Sequence, residues 1–476
     1  MRAYHGVRSF AVVTIEKNSV KITRGRMFEM PATDPRVVIE NGPMGVRQWA
    51  AVLLTVALNA LDGFDVLSSA FAGPGIKREW HLAPDGLGAV LSMELIGMGF
   101  GSLLLGGAAD KFGRRPMILT CLTLMAAGMF LATMAGSPQE LSLYRVITGL
   151  GIGGMLASTN AVVFEYSSIK RRSIALSLMV IGYPIGAFLG GLIAASLLKT
   201  HDWRSVFMFG GTMTIICIPL VVWLIPETPA WLAQSRPAGA LDKINRTLRR
   251  FGHQALEALG PQAPHEVEAS LADIFKPAYA RATLVLSLGY AAHALTFYYI
   301  LKLAPSIISD PQFAGQHFTK SEGASVLAYA NLGGAIGGAC FGWFMHRFGI
   351  KRATLAALLM SAIMVARFGL GASTLNGWVW AVVLTGMFTN AAIVGFYAAF
   401  AASYPTHAKA TGTGFALSVG RGGAALSPYL AGVLFSNNLG LQTVSIVMAT
   451  GSLVSFLLFA FLPITEKRPV VTYPET

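Results

Sequence analysis

Charged side chains are scarce in this chain. Asp, Glu, Lys and Arg make up 12% of its 476 residues, against 54% hydrophobic ones. A soluble domain carries about 25% charge. The composition therefore excludes a globule covered by water, and lipid must cover much of the surface. A mean hydropathy of +0.58 agrees. Cysteine is scarcer still. Cys121, Cys217 and Cys340 each lie inside an apolar run, which excludes a disulfide framework or a metal-ligand spacing and leaves them as small packing residues. An HExxH zinc helix, a Walker A loop and a nucleophile elbow are all missing. The chain is therefore not read as an enzyme, and no cofactor or metal is expected. Without a nucleotide loop, any transport must run on ion or substrate gradients.

Long apolar runs fill the space that charge leaves. A bilayer crossing takes roughly 20 mostly apolar residues. Runs of that length fall at 48–73, 85–108, 117–136, 141–165, 174–198 and 204–225, then at 282–307, 323–345, 352–373, 377–402, 411–435 and 441–463. The expected architecture is all-α, with twelve spans in two six-helix bundles. An N-terminal bundle (47–225) and a C-terminal bundle (282–463) flank a central loop (226–281), with tails at 1–46 and 464–476. The apolar stretch at 10–15 is too short for a signal-peptide core. The central loop holds Arg236, Lys243, Arg246, Arg249 and Arg250. Residues 241–259 suit an amphipathic helix on the membrane surface or a solvated linker.

The net charge of +13 is gathered between the runs. Lys111, Arg114 and Arg115 follow the second run, Lys170, Arg171 and Arg172 the fourth, and Arg347, Lys351 and Arg352 the eighth. With the central loop and the tail residues Lys467 and Arg468, they fall on one side. The positive-inside rule makes that side, and both termini, cytoplasmic. This pattern is topology rather than nucleic-acid binding.

The two halves echo each other. GGAADKFGRRP starts at Gly106 and GWFMHRFGIKR at Gly342, at equivalent places in each half. Such internal repetition is the trace of a transporter built from two related bundles. The first of these loops resembles the signature of the major facilitator superfamily. The resemblance narrows to the aromatic acid:proton symporter family on several motifs. These are DGFD at 62–65, RVITGLGIGG at 145–154, GYPIGAFLGG at 182–191, WRSVF at 203–207, PETPAWL at 226–232, and YPTHAKATGTGFALSVGRGGAALSP at 404–428. Together they cover most of residues 45–463.

The resemblance implies proton-coupled uptake of a small aromatic carboxylate by alternating access. In the signature loop it implies a gate latch. There Gly106 and Gly113 allow close backbone approach, and Asp110 accepts hydrogen bonds from a helix N-terminus. Arg114 and Arg115 pair with acids such as Glu165. The second copy places His346 and Arg347 where the first has Asp110 and Lys111.

Several polar residues stand inside the runs. Asp62 and Asp65 are three apart, on one helix face near the middle of the first span. A charge at the bilayer centre costs about 2.5–3.5 kcal/mol. Two carboxylates there must face a cavity or stay partly protonated, and they titrate as a unit. They are the expected proton carriers. Glu94, in the second span, either joins the proton path or pairs with a basic residue. Arg145 opens the fourth span, where the resemblance implies contact with the first-span acid. Arg421, between Gly420 and Gly422, needs an anionic partner, either a substrate carboxylate or a protein acid. Lys302 is a second anion contact or a snorkelling cation. Tyr298, Tyr299, Asn160, Asn331 and Asn390 complete the expected substrate contacts, and His293 reads as a satisfied core histidine. The expected partners are an aromatic acid, protons and membrane lipid, with the chain acting as a monomer in the inner membrane. Another organic anion, export on the same fold, and a sensor that moves nothing are the alternatives.

Overall fold

The computed structural model describes residues 10–16, 19–25, 34–261, 270–314, 318–404 and 406–462. The tail at 464–476, with Lys467 and Arg468, lies outside the described residues. Near the N-terminus, β1 (Phe10–Glu16) pairs antiparallel with β2 (Ser19–Gly25). The helical reading missed this hairpin. FAVVTIE and SVKITRG carry β-branched residues that suit a strand and are too short to span.

Among the described residues after the hairpin, the regular structure is helical. The helices are α1 (Pro35–Asn41), α2 (Val46–Glu79), α3 (Pro84–Phe112), α4 (Arg114–Thr133), α5 (Pro138–Tyr166), α6 (Ile169–Thr200) and α7 (Arg204–Leu224). Then come α8 (Pro229–Ser235), α9 (Ala240–Phe251), α10 (Pro277–Ile308), α11 (Pro311–Ala314), α12 (Lys320–Phe348), α13 (Ile350–Phe368), α14 (Leu375–Ser403), α15 (Thr406–Ser436) and α16 (Leu441–Ala460). Among the described residues, ten helices are long and apolar enough to cross a membrane. Two further helices pack among them. One is α13, which carries Lys351, Arg352 and Arg367, and the other is the glycine-rich α15 around Arg421.

Local chemistry sets where the helices start and stop. Pro84 and Pro138 stand in the first turn of α3 and α5, where a missing N–H costs nothing. Thr319 and Glu322 form a reciprocal cap that opens α12. The joints α3–α4 and α12–α13 are single glycines, Gly113 at φ +107° and Gly349 at φ +84°. A side chain at either would be strained there, so the repeated motif gives the same hairpin of helices in each half.

Helices α2–α7 form one group of six, and α10 with α12–α16 form the second. They meet along α3 against α15 and α6 against α12. At one place Gly88 lies against the Pro428 carbonyl, and at another Gly191 lies against Ala328. Small residues here bring backbones close, as transmembrane packing requires.

The polar ties between the groups sit away from the end that bears the chain termini. At that distal end Lys77 pairs with Asp310 at 2.5 Å. Ser321 donates to the Ala195 carbonyl at 2.7 Å, and Ser436 to Asp85 at 2.8 Å. Among the described residues no hydrogen bond or ion pair joins the groups at the terminal end, where Leu104, Phe112, Leu178 and Phe348 are exposed. The bundle is tied together distally, with no such tie among the described residues at its terminal end.

The central loop is folded onto the first group. Helix α9 ends at Phe251, earlier than the expected 259. Its apolar residues Ile244 and Leu248 pack with Ile39 of α1 and Leu232 of α8. Its greasy face is thus covered by protein, which replaces both the membrane-surface helix and the solvated linker.

Candidate functional site

Asp62 stands halfway along the 34-residue α2, and both Asp62 and Asp65 are buried. The two carboxyls do not point the same way. Asp65 turns into the first group, where a Cβ at Gly210 of α7 would meet its Oδ1 at 3.0 Å. Among the described residues, neither Asp65 oxygen has a hydrogen-bond partner, nor does Asp62 Oδ1. Asp62 instead has Asp65 and Arg421 as its charged neighbours.

A second cluster lies on the distal side of this pair. Glu94 of α3 is fully buried between two cations, with Arg145 Nη2 at 2.8 Å and Lys302 Nζ at 2.9 Å. Ser69 of α2 donates to the same carboxylate at 2.8 Å. Arg145 Nη2 also donates to the Asp65 carbonyl at 3.0 Å, and the guanidinium lies over the Phe207 ring at 5.0 Å. Lys302 donates to the Val66 carbonyl as well.

Two expectations change here. Arg145 pairs with Glu94 rather than with a carboxylate of α2, because Asp65 offers it only backbone. Lys302 neither snorkels nor stands free for an anion, because it reaches from α10 across to α3 and is wholly buried. Glu94 is paired with basic residues, which is one of the two readings open to it.

The charges therefore form a chain across the molecule. It runs Arg421, Asp62, Asp65, Arg145, Glu94, Lys302, from α15 through α2, α5 and α3 to α10. At its α15 end, Arg421 makes no ion pair among the described residues, and its Nη1 is buried without a partner. Tyrosines surround that end. Tyr290 and Tyr298 of α10 lie within the electrostatic reach of Arg421. Tyr183 of α6 lies within the electrostatic reach of Tyr298, Glu94 and Asp62. Tyr397 of α14 lies 6.2 Å from Tyr290, ring to ring. Sequence reasoning singled out Tyr298 but missed Tyr183, Tyr290 and Tyr397. One signal was legible: Tyr290 and Tyr298 are eight apart, on one helical face.

The other expected substrate contacts point elsewhere. The Tyr299 hydroxyl is bonded to Ser445 Oγ at 2.8 Å, and its ring packs on Phe368 inside the second group. Asn160 and Asn331 donate back to the carbonyls of Leu156 and Leu327 on their own helices. Asn390 packs against Gly334 of α12. None of these four makes a described contact with Arg421 or Asp62. His293 is satisfied by Ser452 and the Thr389 carbonyl, both at 2.9 Å.

The signature loop forms a compact network on the terminal face of the first group. Arg114 pairs with Asp110 at 2.6 Å and with Glu165 at 3.2 Å. The carboxylate that accepts from the N-terminus of α4 is Glu227, not Asp110. It takes the N–H of Arg114 at 3.0 Å and of Arg115 at 3.2 Å. Burial pushes the Glu227 carboxyl up, against the N–H groups of Thr228, Arg114 and Arg115. Glu227 sits in the quoted PETPAWL run but was given no role. Arg115 donates to the Val222 carbonyl. Gly113 lies directly under Glu227, while Gly106 has open space with only Ala157 near. In the second copy His346 and Arg347 are exposed. Among the described residues Arg347 makes no ion pair and only lies 5.8 Å from the Phe348 ring. The network is one-sided.

With this geometry in place, comparison with known proteins places the chain. The family profile described as Major Facilitator Superfamily matches residues 53–307 and 286–475. The chain is similar to a gallate transporter of Pseudomonas putida, 28% identical over 85% of this chain and 89% of that one. It is similar to the 4-hydroxybenzoate transporter PcaK of the same organism, 28% identical over 84% and 89%. A gentisate transporter of Corynebacterium glutamicum is 26% identical over 90% of each. Among solved structures, a bacterial homologue of the human lysosomal transporter Spinster, inward-facing and unoccupied, has a TM-score of 0.67 at 17% identity. That likeness covers 87% of this chain and 97% of the other. The E. coli xylose transporter XylE, partially occluded and inward-open, has a TM-score of 0.66 at 16% identity over 88% and 99%. These structures show the shared fold.

Proposed function

Because the chain belongs to the Major Facilitator Superfamily and is a membrane transporter rather than an enzyme, we propose that it imports a small aromatic carboxylate together with protons by alternating access. The observation that carries this reading is the Arg421 guanidinium, without an ion pair, facing Asp62 among tyrosines from α6, α10 and α14. A guanidinium offers a planar fork that a carboxylate fills with two parallel bonds. Tyrosine supplies an apolar face for a ring and a hydroxyl for its substituents. The relatives that transport gallate, 4-hydroxybenzoate and gentisate support this substrate class.

Coupling follows from charge balance. In a site shielded from water, one guanidinium stabilises one carboxylate. When the substrate carboxylate takes Arg421, Asp62 loses its counter-cation and holds a proton instead. Asp65, buried without hydrogen-bond partners, is the second proton site, and the two exchange as a unit. The Glu94–Lys302 pair joins the halves beneath the closed distal face. When it parts, the site is exposed to the opposite side. The terminal end carries Lys111, Arg115, Lys170, Lys351 and Arg352, which makes it the cytoplasmic end in the inner membrane. The network of Asp110, Arg114, Glu165 and Glu227 braces that end of the first half.

The test is uptake of labelled benzoate, 4-hydroxybenzoate and gallate into proteoliposomes under an imposed pH gradient, with and without an uncoupler. Uptake of at least one compound that collapses with the uncoupler supports the reading. Uptake of none of them, or uptake indifferent to the uncoupler, rejects it.

A further inference from the structure

A cleft of about 680 Å³ opens on the terminal face, well away from the transport site. Residues 41–44, between α1 and α2, form one wall with Trp49. Ser168, Lys170 and Arg171, at the start of α6, form the other. The neighbouring cation is engaged: Arg172 pairs with Glu40 at 2.8 Å and covers the Phe164 ring at 3.9 Å. Lys170 and Arg171 are exposed and make no ion pair among the described residues. Ser168 caps α6 and is only 4% exposed, yet its hydroxyl makes no hydrogen bond, to its helix or elsewhere, among the described residues. It lines the cleft. The site thus offers two free cations, a free hydroxyl and the N–H groups of a 32-residue helix to one volume.

The surroundings say what kind of anion fits. Val46 is 86% exposed, Ile169 59% and Leu53 55%, all flanking the cleft. Such side chains need lipid over them, so the cleft lies where the acyl region gives way to headgroups. Trp49 stands at that level, the usual place for an interfacial aromatic ring. We propose that this cleft binds the phosphate of an anionic phospholipid headgroup, with the acyl chains running along the exposed apolar faces of α2 and α6. Phosphate is the recognised chemistry, and the flanking apolar surface selects a lipid as its source.

The experiment is native mass spectrometry of the full chain released from mixed phosphatidylglycerol and phosphatidylcholine micelles. The wild type should keep phosphatidylglycerol in preference. The double variant Lys170→Gln/Arg171→Gln should lose about thirtyfold of that preference, from two basic residues at their usual strength near an anionic surface. Lys170→Arg should retain it. Lys243→Gln/Arg246→Gln removes the same charge from the exposed side of α9 and should change nothing. Equal retention by the wild type and the cleft variant overturns the proposal. So does equal loss in the α9 variant, which would mean diffuse attraction. Inorganic phosphate that displaces the lipid at matched concentration would assign the cleft to a free anion and overturn the lipid source.

Discussion

Replacing Glu94 by Gln should open the distal face. The substitution changes one atom and removes one charge. In the closed structure that charge faces Arg145 at 2.8 Å and Lys302 at 2.9 Å, with all three side chains fully buried. Arg145 belongs to the same half as Glu94, so its loss of a partner burdens both access states. Lys302 belongs to the other half. Its ammonium then keeps the Val66 carbonyl but stands dry and without a counter-charge only while the halves are shut. Removing one member of a buried pair costs about 3–5 kcal/mol. At about 1.4 kcal/mol per tenfold, a cost of that size moves the equilibrium toward the distal-open state by at least about 100-fold.

The assay is pulsed electron resonance between spin labels at Thr200 and Asn437, which are exposed at the distal ends of α6 and α15, in a background with Cys340 replaced. A longer distance should become dominant in Glu94→Gln. Adding Lys302→Met removes the stranded charge and should restore part of the short distance. An unchanged distribution in Glu94→Gln would refute the reasoning, as would a double variant that behaves as the single one does.

Three further outcomes follow from other parts of the molecule. Arg421→Lys keeps the charge but loses the fork, so KM for the aromatic acid should rise roughly tenfold with little loss of folding, read by initial uptake rates. Gly113→Ala forces a side chain into φ +107° with its Cβ 2.3 Å from Glu227 Oε2. It should cost about 1–3 kcal/mol and lower the melting temperature in detergent. Burial lowers His253 below its usual 6.5, so the unfolded chain binds more protons below that pH. The stability it contributes is present above 6.5 and is lost as the pH falls toward the lowered value. His253→Gln should flatten that part of the melting profile.

Much of the fold was readable because lipid imposes a simple pattern on sequence. Runs of apolar residues marked the spans, and GGAADKFGRRP against GWFMHRFGIKR marked the repeat. The ends were read less well. Helix α2 continues to Glu79, past the expected 73, because AGPGIKRE stays helical after the apolar window ends. In the site, Asp62, Asp65, Glu94 and Arg421 stood out as charges inside apolar runs. Arg145 and Lys302 were singled out too, but their pairing with Glu94 was not, because the three meet only when three helices pack. Tyr183 and Tyr397 look like ordinary packing until α6 and α14 bring them beside Tyr298. Glu227 went unnoticed because capping across from another helix leaves no trace in local spacing. Tyr299 and the three asparagines were chosen by residue type alone, and Tyr299 is taken up by Ser445 and Phe368.

The most direct test is accumulation of labelled aromatic acid by Asp62→Asn/Asp65→Asn proteoliposomes under an inward proton gradient. With the acids gone, nothing in the site can hold a hydrogen ion beside a filled Arg421. The substrate should then equilibrate at most, while the wild type concentrates it. Uphill accumulation by the double variant at the wild-type level would contradict the account.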